Sequence, residues 1–220
     1  MRILIFSIIL AGCIDLRLSA QGIGDTTFYN PGIKMIGQAR NASDYLMAAG
    51  YFEELNGRMA DQWLINYYTA LCYIQASYRV EDDKSKDALI DKAQLFIDKG
   101  FKLKPDETEL LVLQAFLYQS RIQVNPEMRG LTYSRKAEAS LKQAAAADDG
   151  NPRAWSLMGY NIYHTPVVFG GGASKALPLF LKARERFQSF RPALPFMPVW
   201  GEPENQDMIA DCKKSLNQGM

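Results

Sequence analysis

The run GGGASK, residues 170–175, is where this chain comes nearest to chemistry, because bare glycine amides opening a helix can hold a phosphate or a carboxylate. A Walker-type loop needs a buried strand before it and a Gly-Lys-Ser/Thr ending, and a dinucleotide loop needs glycines spaced through a strand-to-helix turn. Neither pattern is present. The glycines follow the helical stretch RAWSLMGYNIY and its terminator Thr165-Pro166, with Val167, Val168 and Phe169 reading as a short apolar anchor. Ser174 is placed to cap a new helix whose first turn tolerates Pro178. Gly170, Gly171 and Gly172 therefore read as a turn between two helices, with Ser174 leaving open a candidate anion site. As a turn glycine, Gly171 is expected to accept alanine more readily than Gly159, which sits in a helix contact, accepts leucine.

Arg129 and Arg153 are the cations such a site would use. Each follows an Asn-Pro helix start, where a positive charge opposes the helix dipole and requires a carboxylate or carbonyl partner. That partner is either structural or part of a ligand anion. His164 is the single histidine and falls in a last helical turn, where it faces the carbonyl end of the dipole. Asp82-Asp83 and Asp148-Asp149 are paired acids in charged turns, read as solvated loop acids, with calcium as the alternative. Cys72 and Cys212 lie far apart and read as buried small hydrophobes. No metal site, no cofactor and no nucleophile, base and orienting group together are expected, so the chain is not read as an enzyme.

The charge balance, 25 basic against 24 acidic residues, gives no field that favours nucleic acid, and none is expected as a partner. The opening MRILIFSIILAGCIDLRLSAQ carries one early cation, an apolar run over residues 3–14 and Leu18-Ser19-Ala20, the layout of a signal peptide over residues 1–20. The alternative is lipid attachment at Cys13 within Leu10-Ala11-Gly12-Cys13. A retained apolar anchor is the third reading, and all three export the protein, most simply to a periplasm. The run is short for a bilayer span, which takes about 20 apolar residues.

The elements that must position these residues are helical. DQWLINYYTALCYIQASY, TELLVLQAFLYQSRI and RAWSLMGYNIY carry apolar residues at three-and-four spacing, and no sustained alternation marks a strand. Asn30-Pro31, Asn125-Pro126 and Asn151-Pro152 read as helix starts, as does Asp106 with Glu109 in a capping-box spacing. One set of helices repeats a bulky, small, bulky pattern at +4 and +3: Asn66, Ala70, Tyr73; Leu111, Ala115, Tyr118; Trp155, Gly159, Ile162. A second set alternates with it in small, bulky, small order: Ala93, Ile97, Gly100; Ala137, Leu141, Ala144; Ala176, Phe180, Ala183; and, less well, Ala48, Phe52, Leu55. Corresponding positions recur at about 44 to 45 residues, the mark of a repeat array.

NPRAWSLMGY followed by KALPLFLKA, together with KAQLFIDKGFKLKPDE, resembles the tetratricopeptide repeat. The resemblance covers roughly residues 30–190 and implies an all-α, right-handed superhelix of antiparallel helix pairs, an α-solenoid of about eight to nine helices. It departs from the family in period, since the repeat is normally about 34 residues. The extra residues fall in RVEDDKSKD, QVNPEMRGLTY and HTPVVFGGG and are expected between the two helices of each repeat; Asn66 and Leu111 stand where an aromatic is usual. NPEMRG, GNPRA, TPVVFGGG and PVWG also resemble uncharacterised exported repeat proteins of Bacteroidetes-type bacteria, a likeness that brings no activity with it.

In such an array the first helices line a concave face, which directs Tyr67, Phe116, Gln119, Tyr160 and Tyr163 toward a partner-binding groove. Past a linker at 21–29 and the repeats at 30–190, residues 191–220 form a proline strap, RPALPFMPVWGEP, and a capping helix over 205–216. The strap is apolar but cannot be helical, so it needs a surface to lie on. The expected function is a non-enzymatic exported scaffold that holds a protein or peptide in the groove. The alternative is a small-molecule or lipid-binding module with a closed pocket, for example one serving a transporter. A long shallow groove favours the first and a deep apolar pocket the second.

Overall fold

A computed structural model of the chain describes residues 27–104, 107–194 and 196–218. The leader, Cys13 and Asp106 lie outside the described residues. Nine α-helices are present among those described, and no strand. They are α1 (Tyr29–Gln38), α2 (Ala42–Arg58), α3 (Trp63–Ser77), α4 (Asp83–Leu103), α5 (Thr108–Ile122), α6 (Pro126–Ala147), α7 (Pro152–His164), α8 (Ala173–Ser189) and α9 (Glu202–Gln218). Consecutive helices pair as α1 with α2, α3 with α4, α5 with α6 and α7 with α8, while α9 covers the outer side of α8. The helices α3, α5 and α7 touch one another in series, so the chain is an α-solenoid whose first helices share one face.

The starts follow the capping chemistry. Asn125 accepts from the Met128 amide and Asn151 from the Arg153 amide, each with proline next, where its missing N–H costs nothing. Asn30 does not cap, because α1 begins one residue earlier at Tyr29 and carries Asn30-Pro31 in its first turn. The α5 cap is Glu107, which accepts from Glu109. An Asn41–Asp44 capping box opens α2.

The alternation of small and bulky residues becomes helix contact. A Cβ on Gly159 would stand 2.8 Å from the Phe180 ring, and one on Gly100 would stand 2.8 Å from Leu110, so these backbones approach as only glycine allows. Gly32 receives Phe52 in the same way. Ala70, Ala93, Ala115, Ala137, Ala144, Ala176 and Ala183 are all fully buried. Phe180, also fully buried, contributes about 1.5–3 kcal/mol of hydrophobic stabilisation.

Two expectations are corrected. The extra residues of the long repeats mostly lengthen second helices, giving α4 21 residues and α6 22 against 17 for α8. Asp82, accepting from Ser85, and Asn125 start those helices early, so little loop remains. Of the three segments only the last, from Thr165 to Gly172, stays a loop, and its Val167, Val168 and Phe169 are not an anchor: they form a short 3-10 turn and are 77%, 85% and 77% exposed. Backbone bonds hold the loop instead, chiefly from the Gly172 amide to the Ile162 carbonyl at 2.9 Å.

Candidate functional site

The face shared by α3, α5 and α7 is crossed by the proline strap. Phe196 stacks on Tyr29 with ring centroids 4.7 Å apart, and its carbonyl accepts from the Tyr68 hydroxyl at 2.6 Å. Trp200 stacks on Phe116 at 5.5 Å and donates from Nε1 to the Tyr67 hydroxyl at 2.8 Å. Gly201, at φ +103°, turns the chain from the strap into α9. The capping helix therefore begins at Glu202, three residues before the sequence placed it.

Beneath the strap lies a buried ion pair. Arg153 donates from Nε to Glu109 at 3.1 Å and from Nη2 at 2.5 Å, and Asn151 donates to the same carboxylate at 2.7 Å. The guanidinium sits 4.7 Å from the Phe190 ring and 5.9 Å from that of Trp200. Burial pulls the Arg153 pKa down, but the Glu109 carboxylate outweighs it and the net shift is upward. Burial first, then Glu109, pushes the Tyr67 phenol well above its usual range, so Tyr67 stays neutral and donates to Glu109 at 3.4 Å.

Beside the strap, the same face holds a cavity of about 470 Å³ that is open to solvent on one side. Its aromatic wall is Tyr78, Phe116, Tyr160 and Trp200. Leu157, Phe180 and Met208 extend the apolar lining, and Gln75, Arg79, Gln119 and Glu204 supply polar groups. Burial raises the pKa of Tyr78 and Tyr160, so both line the cavity as neutral phenols. Arg79 donates to the Gln75 carbonyl and side chain at 2.8 and 2.9 Å and makes no ion pair among the described residues. Gln119 is fixed by donation from Nε2 to the Leu157 carbonyl at 2.8 Å, which leaves its buried Oε1 without a partner. A second hollow of about 500 Å³ lies on another side, between α2, α3 and α4, with Asn56, Asn66, Lys99 and Lys102 in its lining.

Of the residues expected on the concave face, Phe116, Gln119 and Tyr160 meet at this cavity. Tyr67 is fully buried with its hydroxyl engaged, and Tyr163 turns to α9, where its hydroxyl lies 3.3 Å from Ser215 Oγ. The candidate anion site does not assemble. Arg153 faces Glu109, while Arg129 grips Asp87 with both terminal nitrogens at 2.6 and 2.8 Å, tying α6 to α4. Neither arginine is engaged by Gly170, Gly171, Gly172 or Ser174, and α8 is preceded by Gly172 without a side-chain cap, Ser174 standing inside the helix.

Asp82 caps α4, Asp148 accepts from the Gly150 amide, and Asp149 pairs with Lys182 and Arg186. Among the described residues no cluster of metal-ligating side chains exists, and Cys72 and Cys212 are free and buried. His164 packs against Tyr160 at 4.3 Å, and burial lowers its pKa, so the neutral imidazole is favoured at this helix end.

Sequence reasoning missed Tyr78, Arg79, Glu204 and Met208. The signal for Trp200 was present in a strap that required a surface, but the cavity it borders is made by five separate segments of the chain.

No protein-family model matches the chain, and no curated protein matches it. Among solved structures the chain is similar to the HusA haemophore from Porphyromonas gingivalis, at 28% identity and a TM-score of 0.76, over 89% of this chain and 96% of that one. It is also similar in fold to a thermophilic TPR protein of Thermus thermophilus, at 18% identity and a TM-score of 0.60, over 86% and 79% of the two chains. No helix among the described residues is long and apolar enough to cross a membrane. The chain is thus an α-solenoid of helix pairs similar to TPR proteins and to a haemophore.

Proposed function

We propose that this protein is a non-enzymatic carrier, exported by its N-terminal leader, that holds a flat and largely apolar small molecule of the haem class in the cavity beside Trp200. The observation that carries the reading is the cavity itself, about 470 Å³ with five aromatic side chains in its lining. That volume lies within the roughly 300–1,000 Å³ range of small-molecule sites. The likeness to a haemophore over most of both chains supports it, and the kinds of protein found similar are non-enzymatic.

The lining fits such a ligand in part by chemistry. Rings offer stacking faces, and Arg79 offers a cation to an acidic substituent. Of the side chains that can bind haem iron, the lining holds tyrosine hydroxyls and the Met208 thioether but neither histidine nor cysteine. Because burial holds Tyr78 and Tyr160 neutral, stacking and apolar burial carry the affinity. The groove expected to hold a peptide is occupied by the strap, which favours the small-molecule reading over the scaffold reading.

Titration of haemin into the purified protein, followed by quenching of tryptophan fluorescence, tests the assignment. Saturable one-to-one quenching is expected, weakened about tenfold by Phe116→Ala through the lost ring contact. Quenching without saturation, or unchanged in Phe116→Ala and Tyr160→Ala, overturns it. Peptide binding that appears only when the strap is removed would restore the scaffold reading.

A further inference from the structure

The turn Val167–Phe169 places three consecutive apolar side chains in solvent, each more than three-quarters exposed. The turn is held in shape by bonds from the Phe169 amide to Pro166 and from the Gly170 amide to Val167, both 2.9 Å, and by the Gly172 amide on Ile162. Gly171 fits against the Thr165 carbonyl with no room for a Cβ, which pins the base of the loop. This is a preorganised apolar tip, not a collapsed hydrophobic loop.

The charges around it have one sign in excess. Lys175 is exposed in the first turn of α8. The last turns of α9 reach the same corner, since Tyr163, three residues before Pro166, meets Ser215. They carry the exposed Lys213 and Lys214. None of the three lysines makes an ion pair among the described residues, and Asp211 is the acid in the same turns of α9.

From the protruding apolar tip and its basic surround we infer that residues 167–169 insert into the headgroup region of an anionic membrane, with Lys175, Lys213 and Lys214 against the lipid charges. A convex tip of this kind needs no matched pocket in its partner, and apolar burial plus lysine attraction is the combination that binds interfacial segments to anionic bilayers. The inference does not depend on which ligand fills the cavity, although Tyr160 and His164 connect the cavity wall to the start of the loop.

The test uses the chain from Gln21 onward, which contains every described element, without any cavity ligand. Co-sedimentation with vesicles of phosphatidylglycerol and phosphatidylethanolamine is expected, with little on phosphatidylcholine and a steep loss in high salt. Phe169→Ser should weaken binding at least about tenfold, and each lysine-to-glutamate change at 175, 213 or 214 several-fold. These sites are exposed, so their melting temperatures should stay unchanged. In Phe169→Trp, lipids brominated in the acyl chain should quench the added tryptophan, with the parent protein as the control. Absence of sedimentation with anionic vesicles, or sedimentation indifferent to Phe169→Ser and Val168→Ser, overturns the proposal. So does a loop that crosslinks to an envelope protein while staying unquenched by lipid, which would make it a protein-docking surface.

Discussion

Trp200 donates its indole N–H to the hydroxyl of Tyr67 across 2.8 Å, joining residues 133 positions apart. Tyr67 in turn donates to Glu109, and Glu109 holds Arg153. The strap is thereby the top layer of a polar chain that runs into the core of three helix pairs. The same indole is a wall of the cavity, so strap position and cavity shape are one variable.

Removing either end of that bond should therefore loosen the strap. Tyr67→Phe leaves the indole N–H unpaired and is expected to cost about 1 kcal/mol. Trp200→Ala also deletes the ring contacts with Phe116 and should cost more. Chemical denaturation measures both, and intact protein should show a blue-shifted Trp200 emission. An unchanged midpoint for Trp200→Ala would mean that the strap is not held by the repeats.

The ion pair below should respond asymmetrically. Arg153→Met leaves Glu109 buried and charged with only Asn151 and Tyr67 to satisfy it, a loss of about 3–5 kcal/mol. Combining it with Glu109→Leu should recover part of the loss, because no uncompensated charge then remains. A double variant as unstable as the sum of the two single ones would show that packing, not charge, is what Arg153 supplies.

How far the sequence disclosed this follows from the range of each interaction. Ala93, Ile97 and Gly100 were legible as a helix contact because their spacing is set within one helix, and the recurrence of the pattern gave the repeat architecture. Tyr67 gave no sign of its partner, since that partner stands in a distant proline-spaced strap whose course no local rule can place. The cavity was half legible: Phe116, Gln119 and Tyr160 share a face by periodicity, whereas Tyr78 and Met208 join them only through tertiary folding. Val167–Phe169 misled for a related reason, because an apolar run looks the same whether it is buried or projecting.

Acid should weaken one tie between repeats. Hydrogen bonding from Arg129 holds the Asp87 carboxyl below its usual range. A depressed folded-state value means that the stabilisation is present above the unfolded value, about 3.9, and is lost as pH falls from there through the folded value. Asp87→Asn should lower the melting temperature at pH 7, with the gap to the parent protein closing in that acidic window. A gap that stays constant from pH 7 to pH 2 would show that the carboxylate charge contributes nothing.

Gly171, expected as a turn glycine to accept alanine, is as closed to a Cβ as Gly159 is, but the two are closed by different neighbours. A Cβ on Gly159 would press on the Phe180 ring at 2.8 Å, a side chain that can shift at a cost, and Gly159→Leu should lose about 1–3 kcal/mol of global stability. A Cβ on Gly171 would stand 2.0 Å from the Thr165 carbonyl oxygen, and backbone cannot step aside so easily. Relief requires breaking the bonds from the Gly171 amide to Pro166 or from the Gly172 amide to Ile162, which are what hold the apolar tip in place. Gly170→Ala is the contrast: its φ of +86° strains alanine, but nothing lies within 4 Å of the added methyl. Hydrogen exchange separates the three. Gly171→Ala should release protection at the Gly172 amide while helix α3 stays protected, Gly170→Ala should do so less, and Gly159→Leu should lower protection throughout α7 and α8. Retained protection at Gly172 in Gly171→Ala would refute the role of that glycine, and the loop would have to be ordered by its side chains after all.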